Sequence, residues 1–420
     1  MKLKVIAAAA ILVPAAVSGA PTGEAEDIAT GLVCRNDSSS YETTLHENAP
    51  QLVNTPDVPR FAVLGKEDKF YLGVGANIVA KAVYDFGNPV GDADFFLTSW
   101  LTKAAPGDGA HMSFSAAQSG IYLNVVALPG SADQLGAYVS FSFLGGHYTP
   151  YLEHAYLRYR HFVAGYTYSL FSDIAAVGPL IDFEGPDAAT IVRHALIGYE
   201  PVFGRNRCWK AGVGLEMPEC SVTPARADDG AVVSQRVPDI PFYLQRMWAG
   251  GDGWVRASGL VRNLLYRDVA ASHNVNRVGW GAKIDGHFPV VAGLSLYGQG
   301  VWGRGVASYI QDLTGCGADL VPESPGSTVL RPVEVWGAYA TAEYAFSPKL
   351  FATATYSHVR TYGAEISGVY RRARYVSANL FYDINTIAQV GVEYVYGQRK
   401  NYDGSSIHNN RLEAMIKVGF

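Results

Sequence analysis

The sequence is poor in charge, in cysteine and in long apolar runs. Charged residues make up 17% of its 420 positions, and the net charge of −5 includes no basic block, which excludes an electrostatic nucleic-acid surface. Beyond residue 20 no run of about 18 apolar residues occurs, which excludes a transmembrane helix there. The chain also lacks Gly-x-Ser-x-Gly, His-Glu-x-x-His and Walker-type motifs, and its histidines form no pair at metal-ligand spacing. No catalytic residue, metal site or cofactor is therefore predicted.

What the sequence does contain is short segments in which apolar and polar residues alternate, together with 45 glycines and 26 tyrosines. The final segment, Arg411–Phe420, has Leu412 and Ile416 on one parity and charged residues such as Glu413 on the other. Successive side chains of a strand point to opposite faces, so this is a strand with one apolar and one mostly charged face. A strand that ends in Phe420 resembles the closing strand of bacterial outer-membrane barrels, where this ending also serves as a signal for the barrel assembly machinery.

The same alternation continues from about residue 69 to the end of the chain and predicts an all-β fold. We expect about 16 strands, and an even number places both ends of the barrel on the periplasmic side. The predicted strands cover 69–86, 110–128, 135–144, 150–160, 162–171, 190–203, 207–217, 239–250, 253–269, 275–288, 293–310, 334–346, 349–362, 374–384, 387–400 and 407–420. A large soluble β-sandwich would also alternate. Apolar faces that end in Trp, Tyr or Phe favour a transmembrane antiparallel β-barrel with aromatic girdles.

The N-terminus has the pattern of an export signal. Two lysines precede an apolar run and the small residues Ser18-Gly19-Ala20, which predicts a signal peptide over 1–20. Residues 21–67 are polar and irregular, and we interpret them as a short periplasmic leader that is partly inside the barrel mouth, or as a small soluble domain. Residues 68–420 form the predicted barrel. Together these features predict a location in the outer membrane of a Gram-negative bacterium, in contact with its lipid.

Short turns and long polar connections alternate along the chain, as expected for periplasmic turns and outer loops. The connection 172–190 is the third outer loop, and we expect it to fold into the lumen and narrow it. Opposed charges at such a constriction orient polar solutes and set ion preference. The candidate pore-lining residues are acids of this loop and inward-facing strand residues, namely Lys81, Asp173, Asp182, Glu184, Asp187, Arg193, Arg256, Arg262, Lys283, Glu393, Arg399 and Arg411. The competing interpretation is that these charges only satisfy one another inside the barrel.

The segment 151–190 carries a family resemblance. It contains His154-Ala155-Tyr156, then Gly165-Tyr166-Thr167-Tyr168-Ser169-Leu170-Phe171-Ser172-Asp173, then Asp182-Phe183-Glu184-Gly185-Pro186. These residues resemble the DcaP-like porins of Gram-negative bacteria, and the similarity runs from about residue 60 to the C-terminus. The resemblance implies a homotrimer of 16-strand barrels linked to dicarboxylate uptake. Where proteobacterial members place an Arg after the Gln-Ser of strand 2, this chain has Gly120, so part of their anion-binding wall is missing.

Three functions are compatible with an exported barrel. The first is an outer-membrane porin through which small polar, anionic, dicarboxylate-like solutes diffuse passively. The second is a structural or adhesive barrel with a closed lumen, whose inward face should be bulky and whose inward charges should pair with one another; inward glycines such as Gly73, Gly75 and Gly391 argue against it. The third is an outer-membrane lipid hydrolase with a His and a Ser brought together on the outer wall. We predict the first, and hence a protein that is not an enzyme.

Four cysteines allow three disulfide connectivities. Cys208 and Cys220 flank a predicted strand that spans roughly 40 Å, whereas a disulfide needs Cα atoms about 4.4–6.8 Å apart. That pair is therefore excluded. Cys220 and Cys316 both lie in outer loops, so a disulfide between them is predicted, with Cys34 and Cys208 either paired or free.

Overall fold

The alternating segments form antiparallel strands that close into a barrel. The computed structural model describes residues 31–34, 40–50, 61–64, 69–87, 95, 97, 109–223, 231–363 and 370–420. The predicted signal peptide lies outside the described residues. Within the described part of the chain, no helix is both long enough and apolar enough to cross a membrane.

The barrel has 16 strands, as predicted from the sequence. They are β1 (Phe70–Asp85), β2 (His111–Ser115 and Gly120–Ala127), β3 (Leu135–Gly145), β4 (Thr149–Tyr159), β5 (Phe162–Tyr168), β6 (Arg193–Tyr199), β7 (Trp209–Glu216), β8 (Ile240–Trp248), β9 (Gly253–Asp268), β10 (His273–Val291), β11 (Leu294–Arg304), β12 (Glu334–Ser347), β13 (Leu350–Tyr362), β14 (Tyr370–Asp383), β15 (Ala388–Asn401) and β16 (Ser406–Gly419). Each strand pairs with its sequence neighbour, which makes the sheet an up-and-down meander.

The last strand closes the barrel on the first. Ile416 lies opposite Ala80 and Leu412 opposite Tyr84 in the β16–β1 register. Beyond β16, the N–H of Phe420 donates to the carbonyl of Ala76 at 2.8 Å. Closure matters because an open edge in lipid leaves unpaired backbone groups that cost several kcal/mol each.

The predicted faces of the strands are confirmed by burial. On β16, Leu412 and Ile416 are each 47% exposed on the outer wall, whereas Arg411 and Glu413 between them are fully buried inside. The same contrast recurs on β10, where Ile284 is exposed and Lys283 is buried. The outer wall is thus apolar and faces lipid, and the charged side chains face inward.

Most strand ends differ from their predicted positions by a few residues, and β2, β5 and β11 depart from the predicted strands in ways that bear on the lumen. β5 ends at Tyr168 and β11 at Arg304, where the alternation predicts strands to residues 171 and 310. Gly305 has φ of +66°, a left-handed conformation that ends β11 and turns the chain into the lumen. β2 is interrupted between Ser115 and Gly120. At β5 and β11 the apolar residues that extended the predicted strands, such as Phe171 and Val306, pack inside the barrel instead of on its outer wall.

The described residues of the leader form regular secondary structure, which their composition does not predict. Helix α1 (Ser40–Asn48) is flanked by the short strands Gly31–Cys34 and Phe61–Leu64, which pair with each other. The strand Phe61–Leu64 also pairs with the start of β1, with Phe61 opposite Val74. It occupies the edge of β1 that β16 leaves free at the periplasmic end.

Candidate functional site

Helix α1 lies against the inner face of β1–β3 near their periplasmic ends. Leu45 is fully buried there, and the Asn48 side-chain amide donates to Asn124 Oδ1 at 2.7 Å. The Tyr156 hydroxyl donates to the Asn48 carbonyl at 2.6 Å, which holds the C-terminal end of the helix. The leader therefore narrows the periplasmic mouth of the lumen.

The third outer connection, loop 3 (residues 169–192), folds into the barrel as the sequence predicts. Its backbone is held by hydroxyls on the far wall, since Tyr339 donates to the Ala176 carbonyl at 3.1 Å and Thr341 to the Val177 carbonyl at 3.2 Å. At its start, the carboxylate of Glu216 accepts the Leu170 N–H at 2.7 Å. Inward polar side chains thus replace the water that loop backbone groups would otherwise need.

Two predicted pore acids serve as backbone acceptors for this loop. Glu393 accepts the N–H groups of Ile181 at 2.9 Å and Asp182 at 2.5 Å. The Asp182 carboxylate accepts two hydrogen bonds of 3.0 Å, one from the hydroxyl of Tyr375 and one from the N–H of Phe95 in the first outer loop (loop 1, residues 86–110). These carboxylates join loops 1 and 3 to the wall of β14 and β15.

One side of the lumen is filled with protein. Apolar side chains of loop 1, loop 3 and loop 6 (residues 305–333) pack against inward residues of β9–β15. The fully buried members include Phe95, Leu97, Phe171, Ala188, Ala189, Val306, Tyr309, Ile310, Leu313, Val321, Val335, Val359, Tyr370, Ala373, Tyr375 and Val395. We call this region the filled half. It is an apolar core inside a barrel whose lumen is otherwise polar.

The predicted cations on β9 and β10 are paired within the filled half. Arg262 contacts Asp239 at 2.9 Å and Asp319 at 3.1 Å, and none of the three side chains is more than 1% exposed. Arg256 contacts Asp173 at 3.4 Å and donates two hydrogen bonds to the side-chain oxygen of Gln245.

Two further predicted cations, Lys283 and Arg399, also contact polar side chains of the barrel wall. Lys283 Nζ lies 2.6 Å from Asp285. Arg399 donates to Asn401 at 2.8 Å and lies over the Tyr370 ring.

At the closing seam, charges of β1 and β16 alternate in sign. Arg411 donates two hydrogen bonds of 2.8 Å to Asp85, and Lys81 contacts Glu413 at 3.1 Å.

Asp187 is buried in loop 3 beside other acids. Its Oδ2 atom has no hydrogen-bond partner. Burial, and then the nearby carboxylates of Asp312 and Asp182, raise the pKa of Asp187 well above its usual range. A neutral carboxyl is therefore the form that this position favours.

An open cavity of about 610 Å³ lies between loop 3 and the inner faces of β1–β5. We call this region the open half. Its charged lining residues are Glu153, Asp182, Glu184, Arg193, Glu219 and Lys417. Arg193 lies 3.6 Å from Glu153 and donates to the Tyr168 hydroxyl at 2.9 Å. The cavity is thus polar, with more carboxylates than cations.

Tyrosine rings cover the wall of the open half. Tyr122, Tyr138 and Tyr156 lie on adjacent strands with nearly parallel rings, and their centroids are 5.9 Å and 5.6 Å apart. Tyr122 lies over Gly75, where a Cβ atom would come within 2.1 Å of the ring. Glycine at position 75 is therefore required for this ring to lie along the wall.

Of the predicted pore residues, the structure places Asp182, Glu184 and Arg193 on the open cavity and most of the others in the filled half or at the seam. Lys417, Glu153 and Glu219 also line the cavity, although they are not among the residues predicted from the sequence. Lys417 was detectable, because it shares the inward parity of Arg411 on β16. Glu219 was not, since it lies in the fourth outer loop.

The predicted disulfide is not formed. Cys220 and Cys316 are free thiols, as is Cys208. The fourth and sixth outer loops nevertheless meet as that pairing required, because the N–H of Gly317 donates to the Ser221 hydroxyl at 2.7 Å. Burial raises the pKa of both Cys220 and Cys316 to about 12.

A closed barrel of 16 strands, with its third loop folded into the lumen, defines an outer-membrane β-barrel with the porin fold. No protein-family model matches the chain, and no curated protein matches it by sequence. Solved structures do match. The outer membrane channel DcaP of Acinetobacter baumannii superposes with a TM-score of 0.72 at 20% identity, over 84% of this chain and 99% of that one.

Two further structures share the architecture more distantly. An anion-selective porin from Comamonas acidovorans gives a TM-score of 0.54 at 10% identity, over 84% of this chain and 100% of that one. OmpF of Salmonella typhi, in complex with daunomycin, gives a TM-score of 0.54 at 11% identity, over 84% of this chain and 98% of that one. At these identities the likeness concerns the fold, and at that level the predicted resemblance to DcaP-like porins is confirmed.

Proposed function

We propose that this protein is a passive outer-membrane channel for small polar solutes, with loop 3 as its constriction. The observation that carries the proposal is the polar cavity of about 610 Å³ in the open half. A barrel built only as a scaffold has no need of it, because the filled half shows that this chain can pack its interior. Reconstitution into planar bilayers tests the proposal: stepwise ohmic conductance is expected, and properly folded protein without conductance would overturn it.

For the solute class we propose small anions, including dicarboxylates, that are oriented by Arg193 and Lys417. The supporting observations are these two cations on the cavity wall and the likeness to DcaP and to a porin described as anion-selective. Four carboxylates on the same wall favour a second candidate, a channel that prefers cations. The reversal potential under a potassium chloride gradient distinguishes the two by its sign.

Two other functions make different predictions. An adhesive or structural barrel requires a lumen that is packed throughout in the way the filled half is, and it predicts no conductance. A lipid hydrolase predicts release of fatty acids from phospholipid vesicles by the purified protein. On our proposal the protein is not an enzyme, conductance is present, and release does not exceed that of empty detergent micelles.

We further propose a homotrimer that is assembled by the barrel assembly machinery. One OmpT structure from Vibrio cholerae, which shares the fold at a TM-score of 0.51, is described as a trimer form. Native mass measurement in mild detergent should give three protomers, and a mass of one protomer would contradict the trimer. Phe420, whose side chain is 41% exposed on the outer wall, is the residue whose deletion should lower the amount of assembled barrel in the outer membrane.

A further inference from the structure

The outer wall carries a row of cations at the extracellular ends of β13, β14 and β15. Arg360 lies directly opposite Arg372, and Arg372 lies directly opposite Lys400. Arg374 is two residues further along β14, opposite His358. Their strand neighbours of the other parity, such as Val359 and Ala373, are fully buried inside the barrel, so the row faces outward.

The charge of this row is not balanced by the protein. Among the described residues, no carboxylate forms an ion pair with Arg360, Arg372, Arg374 or Lys400. The Nε atom of Arg360 and the Nδ1 atom of His358 are buried without a hydrogen-bond partner. Like charges directly opposite each other on neighbouring strands destabilise a sheet. An anion from outside the chain would remove this repulsion.

Arg304 shows the contrasting arrangement on the same rim. It also lies on the outer wall, at the end of β11, but Glu334 pairs with it at 2.9 Å. The Arg360–Lys400 row is therefore not explained by a general need for cations at this height of the barrel.

Aromatic side chains place the row at the membrane interface. The Trp336 indole donates to the Tyr362 hydroxyl at 2.8 Å, and its ring lies 5.1 Å from that of His358. The Arg360 guanidinium lies 4.6 Å above the Tyr362 ring. Tryptophan and tyrosine belts mark the depth of lipid headgroups, and cations at that depth attract anionic lipid.

A groove of about 600 Å³ opens on the same outer wall beside Tyr362. It lies between β10 and loop 6 and is lined by Val278, Trp280, Arg304 and Arg331. Its floor is apolar, and three arginines at its edge outnumber the one carboxylate there, Glu334. This lining suits an anionic headgroup that continues into acyl chains.

We propose that this face binds phosphorylated lipid of the outer leaflet, namely the phosphate groups of lipopolysaccharide, between Arg360, Arg372 and Lys400. Neighbouring strands are about 4.8 Å apart. A phosphate above the row therefore reaches cations on two strands at once, and guanidinium groups bind phosphate through paired hydrogen bonds. Lipopolysaccharide rather than free phosphate is the occupant, because the row faces the membrane and not the aqueous loops.

The test compares the purified wild-type protein with the triple variant Arg360→Gln/Arg372→Gln/Lys400→Gln. Lipopolysaccharide is titrated in detergent, and bound lipid is counted by native mass spectrometry. We expect the triple variant to bind about 100-fold more weakly. Arg160→Gln, which removes an exposed arginine paired with Asp133 at the opposite, periplasmic rim, should bind as the wild type does. Equal binding by the triple variant and the wild type would overturn the proposal.

Further arms separate the alternatives. Dephosphorylated lipopolysaccharide should bind the wild-type protein as weakly as intact lipopolysaccharide binds the triple variant. Because this measurement uses only the wild-type protein, it does not depend on whether the triple variant folds. Competition by inorganic phosphate at equal concentration would overturn the lipid as the source of the anion. A triple variant that loses its oligomeric state but keeps lipid would show a protomer interface instead. The channel conductance of the triple variant should equal that of the wild type. A failure of the lipid-binding proposal is therefore distinguishable from a failure of the proposed channel function.

Discussion

The lumen along β9–β15 and the lumen along β1–β5 are enclosed by strands of the same alternating pattern but hold different contents. In the filled half, inward cations such as Arg262 have buried partners, and loop residues such as Phe171 and Leu313 form an apolar core. In the open half, tyrosine faces and a few charges surround about 610 Å³ of space. The difference lies in the loops: loops 1, 3 and 6 supply apolar residues to one wall. An inward charge on a barrel strand therefore indicates a lumen position but not contact with solute.

The largest expected effect is on single-channel conductance, and it comes from removing the part of loop 3 that separates the open half from the filled half. Replacing loop-3 residues 174–189 by a short Gly-Ser linker should raise single-channel conductance several-fold, because the segment contacts β12 and β13 across the lumen. An unchanged conductance would show that loop 3 does not limit the pore. A Gly-Ser replacement of the exposed turn 269–272 is the matched control.

The second prediction concerns the stability of the filled half. Arg262→Ala leaves Asp239 and Asp319 buried without their cation and should lower the free energy of unfolding by about 3–5 kcal/mol. Arg304→Ala removes an exposed pair with Glu334 and should cost at most about 1 kcal/mol. Denaturant midpoints of the refolded barrels measure both. Similar losses in the two variants would mean that the filled half is hydrated.

The third prediction assigns ion preference to the open half. From the sequence, Arg→Glu at both Arg256 and Arg262 should shift the reversal potential toward cations. The structure favours a larger shift of the reversal potential for the double variant Arg193→Glu/Lys417→Glu, because these two cations line the cavity. Both double variants are compared under the same salt gradient. A larger shift from the Arg256 and Arg262 pair would place the conducting path in the filled half.

The fourth prediction concerns Asp187. Its pKa in the folded protein is raised, so its contribution to stability is full below the ordinary carboxyl range, near pH 4, and is lost as pH rises through the raised pKa. Asp187→Asn is neutral at every pH and should be more stable than the wild type at pH 8, with little difference at pH 4. Asp133→Asn, at an exposed periplasmic turn, is the control. A pH-independent difference between Asp187→Asn and the wild type would contradict this account.

The smallest expected effect is on thiol labelling. Because the pKa of Cys220 and of Cys316 is about 12, their thiolate fraction at pH 7.5 is very small. Maleimide should label both slowly in the folded barrel and quickly in denaturant, and the rate in the folded state should increase with pH. Fast labelling of Cys316 in the folded state would show that the filled half opens at its outer rim.

The sequence by itself determined the barrel. Period-two alternation places Leu412 outside and Glu413 inside irrespective of distant contacts, because the direction of a strand side chain is a local property. Strand number, closure of β16 on β1 and the inward fold of loop 3 follow from such local patterns and from a recognisable motif, and the structure confirms them.

Only the tertiary structure decided which half of the lumen is filled. The partners of Arg262 come from positions 239 and 319, and the acceptor for the backbone of Asp182 is Glu393. Pairings across such sequence distances have no local signature. The same reason explains why the predicted Cys220–Cys316 disulfide is absent. The topology places both cysteines in outer loops, but the packing of those two loops leaves both as free thiols. The alternation within each strand determines which side chains point inward. The contents of the lumen, however, depend on how the loops pack against one another.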